Sequence, residues 1–315
     1  MGAVMQGEGT PRAGRMLPMP DVHARTGRAA GRLRSGERGR GQLEAAEARR
    51  ARRRRAVQAA RATGILAAMS HPLLRAKGLQ KRYGAKLALA GVSFEVAPGE
   101  VVGFLGANGA GKTTTLRILA GTLVPDAGEV EIDGLDAARE PLAARARLGY
   151  LPEHDGLFEG MRVDELLRFH GASRGLRGAG LAARIDELVA RLDLRAVLAA
   201  RVHECSLGYR RRVALAAALV HDPVVALFDE PTHGLDPLQI RAFRALLRQL
   251  SPGRAIVFST HVLQEVEASC SRVVLVDEGR IALDAPLATL QAEAKAAGAS
   301  LEDLVVERAS ARARA

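Results

Sequence analysis

The stretch Val101-Val-Gly-Phe-Leu-Gly106-Ala-Asn-Gly-Ala-Gly111-Lys112-Thr113-Thr114 changes character twice within fourteen residues. An apolar run of strand type ends at Gly106, and a loop with three glycines in six positions follows. Thr113 then opens the helical pattern Thr-Thr-Thr-Leu-Arg-Ile-Leu-Ala-Gly-Thr-Leu-Val. Residues 106–113 fit G-x-x-x-x-G-K-[ST], in the strand–loop–helix setting that gives this pattern its mechanism. The glycines let consecutive backbone N–H groups curl around phosphate oxygens, at the positive end of the following helix dipole. Lys112 sets a point charge against β- and γ-phosphates, and the Thr113 hydroxyl is a candidate Mg2+ ligand. The candidate nucleotide contacts of this loop are Gly106, Asn108, Gly109, Gly111, Lys112, Thr113 and Thr114.

A phosphate loop serves kinases, switches and motors alike, so it does not define a reaction. Val224-Val-Ala-Leu-Phe-Asp229-Glu230 narrows the choice, because a buried strand here ends in two adjacent acids. Successive strand residues point to opposite faces, so the two carboxylates can take different tasks. Asp229 is the candidate Mg2+ ligand, and Glu230 the group that orients and deprotonates an attacking water. Ala255-Ile-Val-Phe-Ser-Thr260-His261 is a second short apolar run with polar residues at its C-terminal end. Both runs read as buried parallel strands. Strands alternate with helices around residues 139–147 and 161–200, the latter broken by the Gly-rich segment 173–180, so an α/β parallel sheet is expected. The last thirty or so residues read as helical and peripheral.

The 315 residues carry 46 Lys+Arg against 35 Asp+Glu, a formal net charge of +11. Residues 1–68 hold 15 basic and 5 acidic side chains and no aromatic residue except His, whereas residues 69–315 hold 31 basic and 30 acidic. The excess charge therefore sits on an Arg/Gly/Ala-rich segment with little to pack around, read as disordered or as lying ahead of a start at Met69. The remainder has the composition of an ordinary soluble domain, long enough for a sizeable core. The longest apolar stretch, Val213 to Val220, is far short of a membrane span. Cys205 and Cys270 lack metal-type neighbours and read as reduced structural residues in a cytosolic protein.

Between the phosphate loop and the acidic pair lies Glu204-Cys-Ser206-Leu-Gly208-Tyr209-Arg-Arg-Arg212, followed by an Ala/Leu helix. With this segment the sequence resembles the ABC-family ATPases over nearly all of residues 73–305. Ser206-x-Gly208 is similar to the family's signature motif, which meets the γ-phosphate bound on a partner subunit. Pro231 to Pro237, with Asp236, resembles the D-loop, and His261 the switch histidine. Tyr83 stands where the family stacks an aromatic ring on adenine. Gly149 to His154 stands at the Q-loop, the hinge toward the permease, with Glu153 as a candidate Mg2+ contact. The signature departs from Leu-Ser-Gly-Gly-Gln at Cys205, Leu207 and Tyr209, and Glu153 replaces the Q-loop glutamine. These variants, with Ser300-Leu-Glu-Asp303, resemble the exporter-type subgroup that pairs with separately encoded permeases.

The resemblance implies a P-loop NTPase core with a mainly parallel sheet, a small antiparallel β subdomain and an inserted helical subdomain. It divides the chain into the basic segment 1–68, an ATPase domain over 69–290 with its helical subdomain near 155–222, and a C-terminal tail 291–315. Two copies are expected to pair head to tail over ATP and Mg2+ on the cytoplasmic face, with Glu230, His261 and Lys112 as catalytic groups. The partner is an integral membrane permease, and no nucleic acid is involved. A basic contact of residues 1–68 with anionic lipid is compatible with this reading. The rival is an ATP-switched nucleic-acid or ribosome factor using the same segment as a basic arm. The triplet Arg210 to Arg212 reads as a solvated helix start.

Overall fold

The computed structural model describes residues 71–313, so the readings of residues 1–68 fall outside the described part. Two sheets organise it. Strands β1 (Leu74–Tyr83), β2 (Lys86–Val96), β4 (Ala127–Ile132) and β5 (Leu135–Asp136) form an antiparallel sheet in the order β2-β1-β4-β5. Strands β3 (Val101–Leu105), β6 (Leu148–Leu151), β7 (Val225–Asp229), β8 (Ala255–Thr260), β9 (Arg272–Asp277) and β10 (Arg280–Pro286) form the second, in the order β10-β9-β3-β8-β7-β6. All its neighbours are parallel except the β9–β10 hairpin.

The apolar runs in the sequence become the central strands because both of their faces are covered. Every residue of β3, β7 and β8 is buried. The period of two sorts their side chains between two cores. Val225 and Leu227 pack toward the antiparallel sheet, with Phe94, Phe104 and Leu89, while Ala226 and Phe228 pack toward the helices. Phe228, Phe243 and Phe258 stack edge to face there, at centroid separations of 5.9 and 6.3 Å.

Helices α1 (Lys112–Leu119), α2 (Pro141–Ala146), α3 (Val163–Ser173), α4 (Gly178–Arg191), α5 (Leu207–Leu219) and α6 (Pro237–Leu250) connect the strands. Helix α1 stops well before Val124, because Gly121 takes a left-handed turn at φ 67°. The glycine-rich break inside 161–200 is shorter than expected. Gly178 and Gly180 lie within α4, leaving only residues 174–177 between the helices. Helices α3, α4 and α5 share one continuous core with β7, β8 and α6.

The C-terminal helices pack at the edge of the six-stranded sheet, each with one apolar face buried. After α7 (Leu263–Ser269), helices α8 (Leu287–Ala297) and α9 (Leu301–Ala313) bury Leu287, Leu290, Ala294, Leu304 and Val305 against Leu275, Leu283 and Val266. The boundary expected at residue 290 falls inside α8. Among the described residues, no helix is long and apolar enough to cross a membrane.

Candidate active site

Parallel pairing places three loops at one edge of the sheet. Leu105 is in register with Thr260, and Asp229 with Ser259, so the loops after β3, β7 and β8 leave the sheet side by side. This is the edge where open α/β sheets carry their sites. Gly111 ends the first loop with φ 112°, a conformation only glycine adopts without strain. A side-chain carbon there would also lie 2.8 Å from the Ala88 carbonyl. The turn puts Lys112 at the first position of α1, pointing back over its own loop. Its ammonium donates to the carbonyls of Gly106 (2.7 Å) and Ala107 (3.2 Å).

The same ammonium lies 3.4 Å from Glu230 Oε1, and both side chains are nearly buried. The other Glu230 oxygen is 3.1 Å from His261 Nδ1. Lys112, Glu230 and His261, three residues remote in sequence, thus form one chain of contacts. Glu230 takes a left-handed backbone conformation at φ 44°, which is uncommon for a residue with a side chain and a recurrent feature of functional sites. Ser259 holds it there by accepting a 2.9 Å bond from the Glu230 N–H.

Asp229 sits one residue earlier and faces a different set of groups. Its Oδ1 accepts from Ser259 Oγ at 2.6 Å and from Thr113 Oγ1 at 3.2 Å. Burial raises its pKa against the opposing effect of these hydrogen bonds, and the Glu153 charge adds to the rise. Its second oxygen, Oδ2, is buried without a hydrogen-bond partner among the described residues. A buried, unpaired carboxylate oxygen beside a threonine hydroxyl is a donor set suited to a hard divalent cation. Tyr150 lies close by, its phenol pushed up to about 12 by burial and by the Asp229 charge.

The other expected residues are spread around this centre. Asn108 and Gly109 are exposed on the loop and Thr114 is half-buried behind it. Tyr83 ends β1 with its ring exposed, and the Lys81 ammonium lies 6.0 Å from the ring centroid. Ser206 precedes α5 and, among the described residues, accepts only a long 3.4 Å bond from Tyr209 N–H, while Asp236 caps α6 through Leu238 and Gln239. Gly208 packs so closely on Gln239 that an added side-chain carbon would lie 2.4 Å from its amide. Among the described residues, no side-chain hydrogen bond or ion pair joins Ser206, Gly208 or Asp236 to the Lys112–Glu230 cluster. The Glu153 side chain is exposed. Both thiols are free, and burial raises the pKa of each.

Arg211 overturns the reading of the arginine triplet as solvated. It is buried, and its guanidinium donates to the carbonyls of Pro152, Glu153, Asp229, Glu230 and Pro231 at 2.8–3.2 Å. Arg210 pairs with Asp155 and Glu159, and Arg212 stacks on Tyr209 with its guanidinium carbon 4.2 Å from the ring centroid. Ser259 stands in the sequence beside Thr260 and the switch histidine, but its bonds to Asp229 and to the Glu230 N–H leave no signal there.

Residues 89–233 match the family described as ABC transporter. The Nod factor export ATP-binding protein I of Paraburkholderia xenovorans (strain LB400) is 43% identical over 217 residues, which cover 68% of this chain and 71% of that protein. The ABC transporter ATP-binding protein NatA of Bacillus subtilis (strain 168) is 41% identical over 196 residues, 62% of this chain and 80% of that protein. A solved structure described as the ATP binding subunit of an ABC transporter superposes with a TM-score of 0.69 at 33% identity, covering 75% of this chain and 99% of the other. With the phosphate loop, the acidic pair and the parallel sheet already in place, these likenesses make the chain a member of the ABC transporter family, an ATP-binding and ATP-hydrolysing subunit.

Proposed function

We propose that this chain powers export through a separately encoded membrane permease, two copies closing head to tail over ATP on the cytoplasmic face. The observation that carries this reading is the Lys112–Glu230–His261 chain beside Thr113 and Asp229. Before ATP arrives, the phosphate lysine rests on the general base. When ATP enters, Lys112 turns to the β- and γ-phosphates and frees one Glu230 oxygen. That oxygen takes a proton from water as the water attacks the γ-phosphorus and the bond to ADP breaks. His261 keeps the other oxygen oriented.

Thr113 and Asp229 would hold Mg2+, with Glu153 near it; the buried, unpaired Asp229 Oδ2 supports that assignment. When bound, the ion neutralises phosphate charge. Asn108, Gly109, Gly111 and Thr114 complete the cradle, Tyr83 packs on adenine, and Ser206 and Gly208 meet the nucleotide of the partner copy. Asp236 belongs to the same dimer contact. Glu153 and its loop form the hinge toward the permease. The exposed Phe158–Phe169 pair, 5.5 Å between centroids, supplies apolar surface beside that hinge. The ATPase domain begins at 69 and takes in α8 and α9, which share a core with β9 and β10, and its helical subdomain lies near 155–222. Residues 1–68, net +10, carry the charge sign that anionic lipid attracts.

Export is supported by the likeness to the Nod factor export ATP-binding protein I of Paraburkholderia xenovorans. Glu230→Gln is the test. The variant should bind ATP and form a dimer on gel filtration while barely hydrolysing it, and normal turnover would remove Glu230 from this role. Co-purification of a polytopic membrane protein with the full chain tests the permease.

A further inference from the structure

The hairpin that carries Tyr83 brings a second lysine to the phosphate loop. Tyr83 and Lys86 are the last cross-strand pair of β1 and β2, joined by a two-residue turn. Beyond the turn, β2 runs along the loop. Ala88 and Leu89 lie against Gly111, where an added side-chain carbon would come within 2.8 and 2.7 Å of them. At about 3.3 Å of rise per residue, Lys86 stands two strand steps beyond Ala88 and three beyond Leu89. Gly109 confirms the direction of travel, because a side-chain carbon built on it would lie 3.8 Å from the Lys86 ammonium.

Lys86 is exposed. None of the ion pairs or side-chain hydrogen bonds among the described residues engages it, although carboxylates pair with its neighbours, as Asp126 does with Lys81. A long, hydrated cation held over a glycine loop, with its charge uncommitted, is set to meet an anion.

We propose that Lys86 is a second phosphate-binding residue, pairing with the polyphosphate of the nucleotide from the outer side of the loop while Lys112 works from within. One hairpin then grips both ends of the ligand, Tyr83 at the base and Lys86 at the phosphates. This rests on the phosphate-loop reading of the site, so the experiment tests the two separately.

The full-length protein is titrated with a fluorescent N-methylanthraniloyl ATP at low and high salt, as the parent and as Lys86→Met, Lys86→Arg and Lys112→Ala. Lys112→Ala should lose most binding, and parental affinity there would overturn the phosphate-loop reading itself. Lys86→Met should bind about fivefold more weakly at low salt, the scale of one partly exposed charge pair. The difference should shrink at high salt. Lys86→Arg should stay near the parent. Unchanged affinity in Lys86→Met overturns the proposal. So does an equal loss in both Lys86 variants that salt leaves unaltered, which would mark the side chain as part of the hairpin's packing rather than a phosphate contact.

Discussion

Asp229 shows function held against stability within a single residue. Its folded pKa is raised, first by burial, so the ionised form is disfavoured in the fold relative to the open chain. The stability such a group contributes is present at acid pH and is lost as pH rises through its folded pKa. In its ionised form the side chain is therefore a burden on the fold, one that the proposed binding of Mg2+ and ATP would offset. Asp229→Asn should raise the melting temperature of the nucleotide-free protein while removing hydrolysis and most of the extra stabilisation by Mg2+ with ATP. Differential scanning fluorimetry with and without those ligands measures both effects, and a lower melting temperature without ligand would sink the argument. His221 behaves in the opposite sense. Its Nε2 lies 3.0 Å from the Leu148 carbonyl, its Nδ1 is buried without a partner, and burial with nearby Arg174 lowers its pKa to about 4. The folded protein resists protonation that the open chain accepts near 6.5. Stability is thus full above that pH and falls as pH drops toward 4, by roughly 3 kcal/mol for the shift from 6.5. His221→Gln should flatten the acid limb of a denaturation-against-pH curve, whatever it does to stability at neutral pH.

At the scale of elements, α5 is the joint of the site. Its Arg211 binds carbonyls following β6 and carbonyls at the end of β7, so one guanidinium sets the spacing between the Glu153 loop and Glu230. Removing it leaves several buried carbonyls short of a donor at about 1 kcal/mol each, so Arg211→Met should cost roughly 3 kcal/mol in urea denaturation. Arg211→Lys keeps the charge but not the planar fork, and should recover only part of that loss. If Arg211→Met were as stable as the parent, the joint would be of no consequence. The sheet's central strands were legible because their apolar runs could only be buried, and the phosphate loop because few other uses exist for that glycine spacing. The Arg211 role was not legible from the triplet alone, since a basic run at a helix start is usually solvated. Its bonds go to backbone carbonyls, which leave no side-chain signature in the sequence. The burial of α8 and α9 was equally hidden. Their apolar residues are sparse, and only the edge hairpin β9–β10 shows what they cover.

On the scale of the whole molecule, the two halves of the proposed nucleotide contact set are held by different means. Lys112, Thr113, Asp229, Glu230 and His261 are knit together inside one chain. Ser206 stands apart, its hydroxyl engaged among the described residues only by a 3.4 Å bond and so weakly committed to capping α5. Such a hydroxyl has capacity left for a ligand that its own chain does not present. The proposed head-to-tail pair would use it by setting Ser206 of one copy against Lys112 of the other, which gives a distinctive rule for mixed dimers. Chains bearing only Lys112→Ala, mixed with chains bearing only Ser206→Phe, place both defects in one site and leave the other intact. A chain bearing both changes, mixed with the parent, puts one defect in each site. The first mixture should retain ATPase activity in its heterodimers, and the second should lose it. Differently tagged subunits, purified in tandem and assayed for phosphate release, separate the cases. Equal activity in the two heterodimers would mean that Ser206 serves neither nucleotide, and the reverse order that it serves the nucleotide of its own chain; either result would require the head-to-tail arrangement to be abandoned.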